Sequence, residues 1–178
     1  MNKRALEKLF AEHGFSDFKW LDPKDIELAQ WVRMKCQFGC DEYAKQACCP
    51  PNMPEFSECQ RFFSEYQHAA VFHFEKKLEK LEDKKEWNKE VSKDLLAVER
   101  EVFLSGYYKA LVLFMSSCSE CPDCTPKKED CRHPEKCRPA PDSLCMDVFA
   151  TVRKLGYPID VLTDVKDPMN RYAFLLID

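Results

Sequence analysis

An α/β architecture is what this sequence predicts, on three observations. Two short apolar runs of strand length, Ala69 to Phe74 and Ala110 to Met115, flank a long segment of helical periodicity. In that segment Val91, Leu95, Val98 and Val102 recur at helical spacing, with Gly106 as a C-terminal stop. At 178 residues, 45% of them apolar, the chain is long enough for one domain with a hydrophobic core and cramped for two. The expected architecture is therefore a single-domain α/β sandwich over residues 1–178, with a mixed β-sheet and two cysteine-rich metal-binding loops at about 31–54 and 117–141.

Each element follows from local chemistry. Leu6, Leu9 and Phe10 suggest a first amphipathic helix ended by Gly14, and Phe15 to Trp20 reads as a short strand. Asp22-Pro23 opens a helical turn. Trp31 to Pro54 is rich in cysteine and proline with little periodicity, which predicts an ordered loop held by something other than a core. Pro54 to Tyr66 can form a helix with Phe56, Cys59, Phe62 and Phe63 on one side. Between Glu75 and Glu90 nearly every residue is charged, the pattern of a solvated helix or connector. Ala110 to Met115 runs directly into the second cysteine loop, so Cys118 should lie just beyond the carboxyl end of a strand, where open α/β sheets place ligands. Pro141 and Asp142 can open a last helix with Leu144, Val148, Phe149, Val152 and Leu155 facing inward. Ile159 to Leu162 and Tyr172 to Ile177 then read as two strands joined by a turn around Asp167-Pro168-Met169-Asn170.

The formal charge is −4, with 27 basic and 31 acidic residues intermixed, so nothing biases the chain toward nucleic acid. Lys127, Lys128, Arg132, His133, Lys136 and Arg138 make the second cysteine loop locally basic, as a solvated loop or as an offset to a polyanionic cluster. The N-terminus lacks the apolar stretch of a secretory signal, and no apolar run approaches the roughly 20 residues that span a bilayer. A soluble, cytoplasmic protein without a membrane partner is expected. In that reducing setting the 11 cysteines are read as thiols and metal ligands rather than staples.

Their spacing carries the chemistry. Cys118-Ser-Glu-Cys121-Pro-Asp-Cys124, with Cys131 after a short charged loop, can turn successive thiolates toward one point, as a 4Fe–4S cube needs four sulfurs from different directions. Structural zinc usually takes separated pairs, and remains the alternative, with ordinary thiols or disulfides a third. In the first loop Cys36 and Cys40 lie four apart around Gly39, and Cys49-Pro50-Pro51 fixes the chain after a third cysteine. Three ligands are evident there, Cys36, Cys40 and Cys49. The fourth is Cys48, Cys59, or a position open to water or substrate. Buried free thiols in a proline-rich loop are the bland alternative.

Trp31-Val-Arg-Met-Lys-Cys36 with Gly39-Cys40, Cys49-Pro50-Pro51, the second-loop cysteines, Arg132-His133-Pro134-Glu135-Lys136 with Arg138-Pro139, and Asp147-Val148-Phe149 together resemble a large prokaryotic family of predicted metal-binding proteins. That family, domain of unknown function 2284, is common in anaerobic bacteria and archaea, and the resemblance spans nearly the whole chain. It implies metal binding without an established reaction. It carries Cys36, Cys40, Cys49, Cys118, Cys121, Cys124 and Cys131 over as family positions, whereas Cys48, Cys59, Cys137 and Cys145 fall on none. Cys145, one turn before Val148 and Phe149, is expected to pack inside its helix.

His133 is expected to hydrogen-bond rather than ligate, and His13, His68 and His73 to be structural. Arg33, Lys35 and Arg132 flank proposed ligands and can donate to cluster sulfur or form salt bridges. No Ser-His-Asp set, phosphate-binding glycine loop or paired-carboxylate motif is present. Two functional classes survive. One is a redox or electron-transfer protein with one or two 4Fe–4S clusters, a redox protein partner, and an open iron in the first loop for substrate chemistry such as sulfur removal. The other is a zinc-stabilised accessory or binding module.

Overall fold

The apolar runs become the centre of a four-stranded sheet. In the computed structural model, which describes residues 1–78, 80, 83–164 and 167–178, β1 (Phe18–Leu21), β2 (Ala69–Lys76), β3 (Leu111–Leu113) and β4 (Met169–Leu176) lie in the order β1-β2-β4-β3. The α/β class expected from the sequence is the observed one. Within it every ladder is antiparallel, which corrects the expectation of a mixed sheet. The reason is the last strand: β2 and β3 are linked through a helix, and β4 inserts between them, antiparallel to both. Ile159 to Leu162, expected to be a strand, joins no ladder among the described residues.

Alternation along β2 and β4 builds one core on each face. Ala70 and Phe72 with Ala173 and Leu175 meet Leu6 and Phe10 of α1 (Lys3–Glu12) and Leu95, Val98 and Val102 of α4 (Asp83–Leu104). On the opposite face Val71, Phe174 and Leu176 meet Phe63 of α3 (Phe56–Ser64) and Val152 of α5 (Val148–Lys154). The period-2 pattern thus buries both faces, as a sheet between two helical layers requires.

Helix ends follow the expected chemistry. The Asn2 side chain accepts from Ala5 N–H, Asp22 caps the turn Pro23–Asp25, Glu55 and Glu58 form a reciprocal capping box on α3, and Asp147 accepts from Ala150 N–H at the start of α5. Where one helix was expected from Pro141, two pieces form. A 3₁₀ turn, Pro141–Leu144, ends at Cys145 in the left-handed region (φ 64°), and α5 begins three residues later. Cys145 is therefore fully buried at a turn, outside any α-helix.

The first cysteine loop also departs from expectation, because Gln30–Gly39 is a helix, α2. Val32 is its one buried residue, so it shows no apolar stripe to read. Polar contacts hold it instead. Arg33 donates from Nη2 to Pro54 O (2.9 Å), Ser143 O (3.1 Å) and Cys145 Sγ (3.4 Å), clamping α2 to the next loop and to the 3₁₀ turn.

The charged stretch from Glu75 holds the end of β2 and, from Asp83, the first turns of α4; residues 79, 81 and 82 of it lie outside the described set. No helix among the described residues is long and apolar enough to cross a membrane.

Phe72 is fully buried, with its ring 5.0 Å from those of Phe10 and Phe15 and 6.3 Å from that of Phe18. Truncating it removes the centre of that aromatic group. Phe72→Ala is expected to cost about 3–5 kcal/mol, measured by denaturant unfolding.

Candidate metal centres

β3 pairs with β4 over only Leu111 to Leu113, after which Phe114 donates its N–H to Pro139 O (3.0 Å) and the chain leaves the sheet. The N-terminal half of β4, Met169 to Tyr172, is then laddered on β2 alone. The cysteines collect beside this gap, with Cys118 a few residues past the carboxyl end of β3, as its sequence position predicts.

Two cavities open there. One, about 550 Å³, is lined by Cys36 and Cys40 from α2 and its C-terminal end, by Cys49, by the 3₁₀ turn at Asp142 and Ser143, and by Asn170 to Tyr172. The second, about 530 Å³, is lined by Cys118, Cys121 and Cys124. Ser116, Ser117, Glu42 and Lys84 line both. The two cysteine sets thus stand on either side of a shared wall.

In the first cavity, burial pushes the Cys36 thiol up to about 11 and the Cys49 thiol up to about 12; the charges of Cys40 and Asp142 add to both. The charge of a neighbouring cysteine thus opposes ionisation of Cys36 and of Cys49, a condition that a bound cation relieves. The remaining candidates for a fourth ligand point elsewhere. Cys59 is fully buried on α3 with its thiol toward Pro54 O, 3.5 Å away, and Cys48 belongs to a different group.

That group joins the two loops. The sulfurs of Cys48, Cys118 and Cys137 lie within 4.8 Å of one another. Hydrogen bonds from Cys137 and then Cys48 hold the Cys118 thiol far below the usual thiol range, while donation to Cys118 raises both partners. Cys48 and Cys137 are buried, and Cys118 is half-buried between the loops. Sequence reasoning weighed Cys48 only as a fourth ligand of the first loop and gave Cys137 no role. Their signal was position: Cys48 adjoins Cys49, and Cys137 closes the turn in which its N–H donates to His133 O (3.1 Å).

The other predicted residues are spread around this core. Cys121 and Cys124 line the second cavity on the Cys118 side. Cys131 is half-buried, its N–H donating to Lys128 O (3.1 Å), and lines neither cavity. His133 faces Glu135 (3.7 Å), and Arg132 donates to Asp123 O rather than to sulfur. His73 is structural: its ring nitrogens meet Asp17 (2.6 Å) and Asn170 (2.7 Å), and its ring stacks on Tyr172.

Contacts between loops hold this arrangement. Asn52 Nδ2 donates to Gln46 O (3.1 Å) and Pro126 O (2.7 Å), and Lys85 Nζ to Pro122 O (2.8 Å). Arg138 Nε contacts both carboxylate oxygens of the buried Glu99 on α4, at 3.1 and 3.0 Å. Burial raises the Glu99 carboxyl, and Arg138 opposes that shift.

The family described as predicted metal-binding protein, DUF2284, matches residues 19–177. The chain belongs to that family. No curated protein and no solved structure matches it. As a DUF2284 member it has a cysteine cluster that fits a metal: soft sulfur donors gathered from two loops, with the Cys118 thiol held low by Cys137 and Cys48.

The Arg138–Glu99 pair fastens this DUF2284 chain's second loop to its longest helix. Arg138→Ala leaves Glu99 buried and unpaired, and is expected to cost about 3 kcal/mol by denaturant unfolding. Cys137, 7% exposed, should then react faster with iodoacetamide.

Proposed function

We propose that the protein is an iron–sulfur redox protein with two cysteine-built centres side by side. Cys36, Cys40 and Cys49 hold a cluster with one open iron, and Cys118, Cys121, Cys124 and Cys131 hold a second. The observation that carries this reading is the first cavity: three cysteines line it, no fourth cysteine does, and space for a small molecule remains beside them. The shared wall at Ser116 and Ser117 sets the second-loop cysteines next to it, as electron supply to a substrate site requires.

When bound, such clusters supply one-electron transfer and, at an iron without a protein ligand, a coordination position for substrate. The chain's own residues do the rest. Arg33 fixes α2, and with it Cys36, against the turn that carries Ser143. The Trp31, Tyr43 and Tyr172 side chains give the cavity apolar walls that limit water. A redox protein partner and a cytoplasmic setting belong to the same proposal.

A second reading draws on the sulfur spacing at Cys48, Cys118 and Cys137. Thiolates on one tetrahedral ion, with metal–sulfur bonds of about 2.3 Å, lie within about 4 Å of each other. A cube holds its thiolates at separate corners and further apart. A trio within 4.8 Å therefore favours a single ion, zinc among them, at the junction of the loops. In that case the protein is a zinc-stabilised accessory or binding module.

Iron, acid-labile sulfide and zinc per chain, measured on protein purified without oxygen, separate the readings. Cys121→Ser is expected to lower iron by about four atoms, and Cys49→Ser to remove the first-cavity iron without emptying the second loop. Cys48→Ser should leave iron unchanged. Unchanged iron in Cys121→Ser, or loss of one zinc in Cys48→Ser from protein without sulfide, overturns the iron–sulfur reading.

A further inference from the structure

Two basic side chains of the first cavity make no side-chain hydrogen bond and no close ion pair among the described residues. Among its charged residues, Glu42 accepts from Gln46 (3.1 Å), Asp142 from the backbone N–H of Ser143 (3.1 Å) and Asp147 from that of Ala150 (2.9 Å), while Lys35 lies over the Trp31 ring. The two basic side chains are Arg171 and Lys84, both half-buried. The Arg171 Nε is wholly buried and unsatisfied. The opposite charge that acts on it, Asp142, does so only through space.

Such an arrangement has a cost. A guanidinium nitrogen withdrawn from water is ordinarily hydrogen-bonded, and here two like charges line the same space. The Lys84 ammonium is weakened first by burial and then by the charge of Arg171. The Arg171 backbone is held in the sheet, laddered opposite Phe74 of β2. A guanidinium fork matches a carboxylate or phosphate in a bidentate way, and an ammonium beside it adds a point charge. Asn170, Ser116 and Ser117 supply further polar groups, and Trp31, Tyr43, Phe149 and Tyr172 supply apolar walls.

We infer that this cavity binds a small organic oxyanion, a carboxylate or phosphate ester with an apolar body, whose charged group sits between Arg171 and Lys84 beside Cys36, Cys40 and Cys49. This names the substrate class of the open site, and rests on the proposed function only for the chemistry that follows binding. The basic pair selects the anionic end, the aromatic walls hold the body, and the thiol set faces the remainder of the molecule.

Isothermal titration calorimetry of the full chain, purified without oxygen, tests this with benzoate, phenyl phosphate and neutral benzamide. One anion should bind at least about tenfold tighter than benzamide, roughly the value of one charge-assisted contact pair. The preferred anion tells carboxylate from phosphate. Arg171→Gln and Lys84→Gln should each erase that preference with metal content unchanged, and Arg171→Lys should retain part of it; Lys84→Gln decides if the Arg171 variants do not fold. No saturable binding of either anion, equal affinity for benzamide, or undiminished preference in the glutamine variants overturns the inference. So does loss of metal in those variants, since the cations would then balance the centre itself. Iron, sulfide and zinc on the same samples keep the two readings apart: selective anion binding in a protein holding zinc alone sustains the inference and defeats the iron–sulfur function.

Discussion

β3 is three residues long, and the site depends on that brevity. Leu111 to Leu113 pair with β4, then the chain turns away and Phe114 is tied to Pro139. Had the ladder continued, the segment Phe114 to Ser117 would have covered the N-terminal half of β4. Instead Arg171 and Tyr172 border open space, Ser116 and Ser117 form a wall, and both cysteine loops can approach it. The core on either face of the sheet holds this edge in place.

Polar residues in apolar positions mark where the loops dock. α4 buries Trp87, Leu95, Val98 and Val102 in one stripe, but Asn88, Ser92 and Glu99 are buried with them. Glu99 receives Arg138, and Asn88 lines the cavity of Cys118, Cys121 and Cys124 with its Oδ1 unsatisfied. α2 shows the opposite design, a helix with almost no apolar face held by Arg33. In both cases the chain spends buried polar contacts on positioning thiols, where a structural domain would bury hydrocarbon.

Much of the fold was legible because it rests on period and punctuation. Val91, Leu95, Val98 and Val102 announced α4, and Ala69 to Phe74 announced β2, since burial on both faces leaves a continuous apolar run. α2 was not legible, because its stability comes from Arg33 contacts with residues 21 and 110 positions away. The break at Cys145 was hidden for a similar reason: its left-handed conformation is stabilised by Ala29 N–H donating to Cys145 O (2.9 Å), a partner distant in sequence. Of the site, spacing pointed to two cysteine sets, and the structure places members of each along its own cavity. Spacing could not show that Cys48 crosses from the first loop to Cys118, or that Arg171 and Lys84 line one cavity, because each requires the tertiary fold.

Two adjacent iron–sulfur centres built by the two cysteine sets would be visible to X-ray absorption at the iron and zinc edges, on protein purified without oxygen. The expected result is iron bound mainly by sulfur with iron–iron scattering behind it, and Cys49→Ser diminishing that signal without abolishing it. Zinc in a sulfur shell, with no iron–iron scattering, would contradict it and leave Cys48, Cys118 and Cys137 as the metal site.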